Sequence, residues 1–212
     1  MRPSQLLDPA DRQRIEAAVI EAERATTGEI VVAVVHASDE YGSAGWRLGV
    51  ALAVTAFLGL AHFRPELPLL AYLAAQGVAL LGGHALARLD PIRRLLLSDD
   101  LAELRVRQRA VRAFAENGLS RTRGRTGILV LASLLERRVV VLADEGIHRA
   151  LDPGESWQEL VDLAVAGLRA GRPAEGLLAA VGRCGEILAR HLPTDPPRNL
   201  DELPNPPLVL ED

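Results

Sequence analysis

The sequence predicts an α/β domain that is split after its first strand by a helical hairpin long and apolar enough to cross a membrane. Three observations predict this. Two apolar runs, Leu48 to Phe63 and Leu67 to Leu89, flank the charged turn Arg64-Pro65-Glu66. Neither run holds an acidic residue, and their only charge at pH 7 is Arg88. Short stretches rich in β-branched residues, EIVVAVVHA (29–37), GILVLAS (127–133) and VVVLAD (139–144), read as buried strands. Amphipathic helical patterns accompany them before and after the hairpin.

Taken in order, Asp8 is the expected N-cap of a first helix with Pro9 at its first position. Ile15, Ala18, Val19 and Ala22 recur at helical spacing, and Gly28 is the expected stop. The first strand follows, and then the hairpin over 42–89. At 1.5 Å per residue its two runs make helices of roughly 24 and 34 Å. A bilayer core of about 30 Å calls for about 20 residues. The second run qualifies outright, and the first does so if it begins near Gly42 with Arg47 reaching toward the headgroups. A buried hairpin in a soluble core is the alternative, but helices apolar on every face need protein all round them. Gly45 and Gly49 form a G-x-x-x-G suited to close helix packing. Thr55, Gln76 and His84 are the polar residues within the runs that bear weighing.

Beyond the hairpin, Ser98 precedes a helix opening with Asp99 and Asp100 and closing at Asn117-Gly118. The second and third strands, separated by LLERR, are expected to pair antiparallel. Two amphipathic helices then place Trp157, Leu160, Val161, Ala164, Val165 and Leu168 on one face, and Leu177, Leu178, Val181, Cys184 and Leu188 on another. The last 20 residues hold six prolines and are expected to be irregular. The expected organisation is a first part of the domain over 1–41, the hairpin over 42–89, the second part over 90–192 and a Pro-rich tail over 193–212.

Composition narrows the chemistry. The chain of 212 residues is 49% hydrophobic yet 25% charged, a mixture that fits a water-soluble domain bearing a membrane segment. A net charge of −4 and few aromatics argue against a nucleic-acid partner. All 24 basic residues are Arg, which excludes a Schiff-base lysine and a P-loop lysine. A single cysteine, Cys184, excludes an intrachain disulfide framework and is expected to be a small core residue. The N-terminal MRPSQLLDPADRQRIEAAV has no apolar core of a signal peptide, so insertion is expected to fall to the hairpin. Arg47, Arg88, Arg93, Arg94, Arg105 and Arg107 flank the open end of the hairpin, against Arg64 alone at the turn. That bias orients both chain ends toward the cytoplasm.

The motifs TTGEI (26–30), RTGILVL (125–131) and ERRVVVLADEGI (136–147), in this order and spacing, resemble the TPM domain family of bacterial and thylakoid proteins. The likeness covers nearly the whole soluble part. The closing HLPTDPPRNLDELPNPP is similar to the ending of a bacterial subgroup with a membrane hairpin after the first strand. The resemblance implies a single α/β/α sandwich with a small mixed sheet, here in the inner membrane of a bacterium. It also implies one of two activities, since some members are described as phosphatases and others as assembly or accessory factors for membrane complexes. Many members are anchored by a signal and a terminal helix, a layout from which this chain departs.

Two constellations are candidates for chemistry. Asp144, Glu145 and His148 lie within five residues at the end of the third strand and suit a hard divalent cation, calcium or magnesium, or acid–base work. Glu29 joins them if the strand ends converge. The bland reading is a strand-terminating turn. Arg121, Arg123 and Arg125 surround Gly124, and guanidinium groups beside a glycine turn can hold phosphate or lipid headgroups. No GxxxxGK[ST], GxSxG, HExxH or CxxC is present. The expectation is a membrane-anchored interaction or assembly module, with membrane lipid and another membrane protein as partners. The alternative is a weak metal-dependent phosphatase.

Overall fold

The computed structural model describes residues 7–194 and 202–210. Helix α1 (Pro9–Glu23) starts as expected: the Asp8 carboxylate accepts a hydrogen bond from the Ala10 amide at 3.2 Å, and Pro9 opens the helix. It ends five residues before Gly28. The Glu23 carboxylate turns inward to accept the Ile30 amide at 2.7 Å, and Thr26 pairs with Pro193 in a β-bridge. These bonds draw the chain out of the helix early. Gly28 serves close approach instead: a Cβ there would lie 2.9 Å from Leu188 Cδ1.

Strands β1 (Glu29–Val35), β2 (Gly127–Ser133) and β3 (Arg138–Ala143) form a mixed sheet with β4 (Leu208–Leu210), in the order β3-β2-β1-β4. β1 and β2 run parallel, with Glu29 opposite Gly127 and Val35 opposite Ser133. β2 and β3 form the expected antiparallel pair, Ile128 opposite Ala143. β4 was not expected. It lies parallel to β1 with Ala33 opposite Leu208, so part of the Pro-rich tail is the fourth strand. Residues 195–201 of that tail lie outside the described residues.

Every residue of β1 and β2 is buried, as befits strands covered on both faces. Alternation sends Ile30, Val32, Val34, Ile128 and Val130 into one core. There they meet α1, α7 (Gln158–Arg169) and α8 (Pro173–His191) through Val19, Leu160, Ala164, Leu177, Val181 and Cys184. Val31, Ala33, Val35, Leu129 and Leu131 face the other core, with Val106, Ala110 and Ala113 of α5 (Asp99–Glu116) and Leu119 of a short 3-10 turn. Helices therefore cover both faces of the sheet. The short α6 (Glu145–Ala150) follows β3 directly.

The chain divides into two compact units, residues 1–38 with 103–212, and residues 39–102. The second unit holds α2 (Gly42–Phe63) and α3 (Leu69–Leu86), joined by the turn at Arg64–Glu66, and α4 (Asp90–Leu96). Both long helices are long and apolar enough to cross a membrane. They touch through glycine. A Cβ on Gly49 would lie 2.6 Å from the Leu80 carbonyl oxygen, and one on Gly83 would lie 2.5 Å from Gly49 Cα. Gly45 packs under His84, whose ring stacks at 4.8 Å on Trp46. Thr55 bonds back to the Ala51 carbonyl at 2.9 Å and is satisfied within its own helix. At the turn, Arg64 Nε donates to Glu66 at 2.6 Å, which holds that carboxyl below its ordinary pKa.

Candidate functional site

The sheet register brings Glu29 and Asp144 to one end of the strands. Glu29 and Gly127 start the parallel strands, and the Asp144 amide donates to the Gly127 carbonyl at 2.9 Å where the antiparallel β3 ends. The loop before β2 carries Arg121, Arg123 and Arg125. Thr122 and Thr126 anchor it: the Thr126 amide donates to the Thr122 hydroxyl at 3.0 Å, and the Thr126 hydroxyl donates to the Thr27 carbonyl at 2.8 Å.

Arg125 is the hub. Its backbone is left-handed, with φ +52°, a conformation that costs a non-glycine residue free energy unless the surroundings enforce it. Here the enforcing bonds are Arg125 N to Thr122 O at 3.0 Å and Gly146 N to Arg125 O at 2.9 Å. The side chain then forks onto Asp144 through Nε at 3.3 Å and Nη2 at 3.1 Å, and its Nη1 reaches Glu145 at 3.1 Å. The Asp144 hydrogen bonds and charge, with a smaller contribution from Glu145, raise the Arg125 pKa above its ordinary value. Asp144 is buried and also caps α6 by accepting the Glu145 amide at 2.8 Å.

The side chains of Arg125, Asp144, Glu145 and Glu29 thus have partners within the fold. The Asp144 and Glu145 carboxylates, proposed for a divalent cation, face a guanidinium that already supplies the positive charge. Glu29 is buried and turned toward the C-terminal segment, where its Oε2 accepts the amides of Glu202 and Leu203, each at 3.3 Å. The Glu202 carboxylate in turn accepts the Arg123 amide at 3.2 Å, so an internal anion occupies the backbone donor of the arginine loop. Arg121 and Arg123 are exposed. His148 is in α6, with its amide bonded to the Asp144 carbonyl at 3.2 Å. Among the described residues no three His, Cys, Asp or Glu side chains converge on a position that suits a metal.

A second polar cluster, not anticipated, sits at the opposite end of the sheet, where the parallel strands stop. The Ser38 hydroxyl donates to the Ser133 hydroxyl at 2.9 Å, Ser133 donates to Glu136, and Glu136 accepts the Ser38 amide at 2.9 Å. Ala-Ser closes β2 at 132–133 and recurs just beyond β1 at 37–38, which was the available signal. The carboxylate belongs to the β2–β3 turn, and the cluster ties that turn to the end of β1.

No family model matches the sequence, and neither does any curated protein. Among solved structures, the NMR structure of the BA42 protein from the psychrophilic bacterium Bizionia argentinensis superposes with a TM-score of 0.61 at 16% identity. The match covers 100% of this chain and 99% of that one. The two proteins share a fold. At that identity the likeness establishes the fold alone, and the fold does not carry an activity with it.

Proposed function

We propose that the chain is a membrane-anchored TPM-like domain that acts as an interaction, assembly or accessory module at the inner face of a bacterial membrane, with both termini cytoplasmic. The observation that carries the reading is the outer surface of the hairpin. Of the most apolar stretch of α3, 6% is buried, and Leu69, Leu70, Leu73, Val78 and Leu81 all point outward. A soluble surface rarely tolerates a contiguous apolar patch of more than a few hundred Å². Lipid is the solvent that accepts this face, and the arginines at the open end set the orientation. The partner would be another membrane protein held beside the anchor. Internal pairing of Arg125, Asp144 and Glu29 favours a binding role over a catalytic one.

The second reading, a weak phosphatase using calcium or magnesium, draws on the end of the sheet that Glu29, Asp144 and the arginine loop share. It requires Arg125 to leave Asp144 when a cation and a phosphate arrive. Topology reporters fused at the N-terminus, at the Arg64–Glu66 turn and after Asp212 test the first reading. The turn is expected to report the far side and both ends the cytoplasm. A cytoplasmic turn, or a protein that fractionates without detergent, would overturn it. For the second reading, metal-dependent turnover of a generic phosphomonoester that survives unchanged in Asp144→Asn would remove the proposed site.

A further inference from the structure

Helix α4 has a surface that the membrane reading does not by itself explain. It has no buried residue, and Leu95 is 85% exposed. A helix of seven residues is marginal in water, because so short a segment depends on packing for its stability. At 100° per residue, Leu89, Ile92, Leu95 and Leu96 fall within about 120° of one another, and Asp90, Arg93 and Arg94 take the remaining arc. The helix is therefore amphipathic, and on its apolar face Ile92 and Leu96 are half-buried while Leu89 and Leu95 stay exposed.

Its position says what covers that face. α3 ends at Leu86, and only Ala87, Arg88 and Leu89 separate it from α4, so α4 begins where the hairpin leaves the apolar layer. Arg88, Arg93 and Arg94 concentrate positive charge there. Apolar side chains beside arginines, at the depth where a membrane helix ends, match the boundary between acyl chains and anionic headgroups.

We propose that α4 is an interfacial helix that lies on anionic lipid, with Leu89 and Leu95 in the acyl boundary and Arg93 and Arg94 at the lipid phosphates. The proposal rests on the hairpin crossing the membrane. It adds a lipid preference: neutralising two arginines near an anionic surface is expected to shift the docked population roughly 30-fold. Docking would also fix the rotation of the chain as it leaves the bilayer.

The test uses the full chain reconstituted in vesicles of phosphatidylcholine, with or without phosphatidylglycerol. An environment-sensitive thiol probe is placed at Leu95→Cys or Leu73→Cys. The native Cys184 is fully buried and leaves the added thiol as the labelling site. The Leu73 probe is expected to be quenched by acyl-chain quenchers in both lipids. The Leu95 probe is expected to be quenched by shallow lipid quenchers, more strongly with phosphatidylglycerol, and to lose that difference in Arg93→Gln/Arg94→Gln. A Leu95 probe open to aqueous iodide in both lipids, with Leu73 in lipid, would overturn the α4 proposal and spare the hairpin. A Leu95 probe shielded regardless of lipid charge and of the arginines would also overturn it, since protein would then cover the face. A Leu73 probe in water would sink the hairpin reading itself.

Discussion

Two helix pairs in this molecule are joined by the same device and present different outer faces. In the sheet domain α7 meets α8 at Gly167 and Gly176, where a Cβ on Gly167 would lie 2.5 Å from Gly176 Cα. In the hairpin α2 meets α3 at Gly49 and Gly83, with the same separation from a Cβ on Gly83 to Gly49 Cα. Close backbone approach through small residues is thus no signature of a membrane. The far side is what differs. Across α7 and α8, Arg183 links Glu159 at 2.7 Å and Glu186 at 3.0 Å, and those hydrogen bonds raise its pKa. The outer face of α3 carries Leu73, Val78 and Leu81, with no charge between Leu69 and Leu86. Packing holds each pair together, and the outward residues are where the two pairs differ.

The largest effect expected from this contrast comes from removing one pair altogether. Replacing residues 43–89 by a short Gly/Ser linker should leave the sheet domain folded and soluble without detergent. The basis is that β1, β2 and both cores draw their buried residues from the first unit. Because the two helices run side by side, roughly 8–10 Å apart, their ends are neighbours and a short linker can span the gap. Cooperative thermal unfolding with α/β circular dichroism would support independence of the units. A molten or aggregated product would mean that the hairpin completes the core.

A smaller effect, set by the medium, comes from placing the same charge on the outer face of each pair. Val78→Asp puts a carboxylate midway along α3, where an apolar medium charges about 2.5–3.5 kcal/mol for it. Ala179→Asp does so on the exposed face of α8, where surface changes stay within about 0.5 kcal/mol. Membrane insertion of the first variant should fall sharply, while the melting temperature of the second barely moves. Equal tolerance at both positions would place water on both faces and break the comparison.

The elements legible in the sequence were those with a local signal. The β-branched run of β2, the Asp8-Pro9 start of α1 and the unbroken apolarity of α2 and α3 each rest on neighbours within a turn or two. What escaped depends on distant partners. Leu208–Leu210 is three residues amid prolines, and becomes a strand because the β1 edge offers Ala33 to Val35 a partner far along the chain. α1 stops early because Glu23 finds the Ile30 amide and Thr26 finds Pro193. At the candidate site, the residue types were legible, while the meeting of Glu29 with Asp144 depended on strand ends whose convergence the sequence does not show. Their occupancy was not legible either: spacing places Arg125 nineteen residues before Asp144, and only the antiparallel β2–β3 turn brings the two into a bidentate pair. Likewise Glu202 reaches Arg123 and Glu29 through a tail that reads as irregular.

The finest discrimination between the two pairs uses the one thiol. Cys184 lies on α8 at the centre of the sheet-domain core, and burial, reinforced by the charge of Glu23, pushes its pKa well above the ordinary value of 9.0. The folded state therefore keeps the thiol neutral where the unfolded chain would ionise it. Stability from this group is fully present below about pH 9, and is lost as pH rises beyond the unfolded value, by about 1.4 kcal/mol per pH unit. Denaturant midpoints of the hairpin-free domain should decline above that pH, and Cys184→Ala should flatten the decline. The same burial makes the native thiol unreactive, so its labelling rate in denaturant should track global unfolding of the α7–α8 side. If Cys184 labels readily in the native hairpin-free domain but not in the full chain, the two units share a core. Equal protection in both would show that α8 is held within the sheet domain, as its glycine contact with α7 and its charged outer face imply.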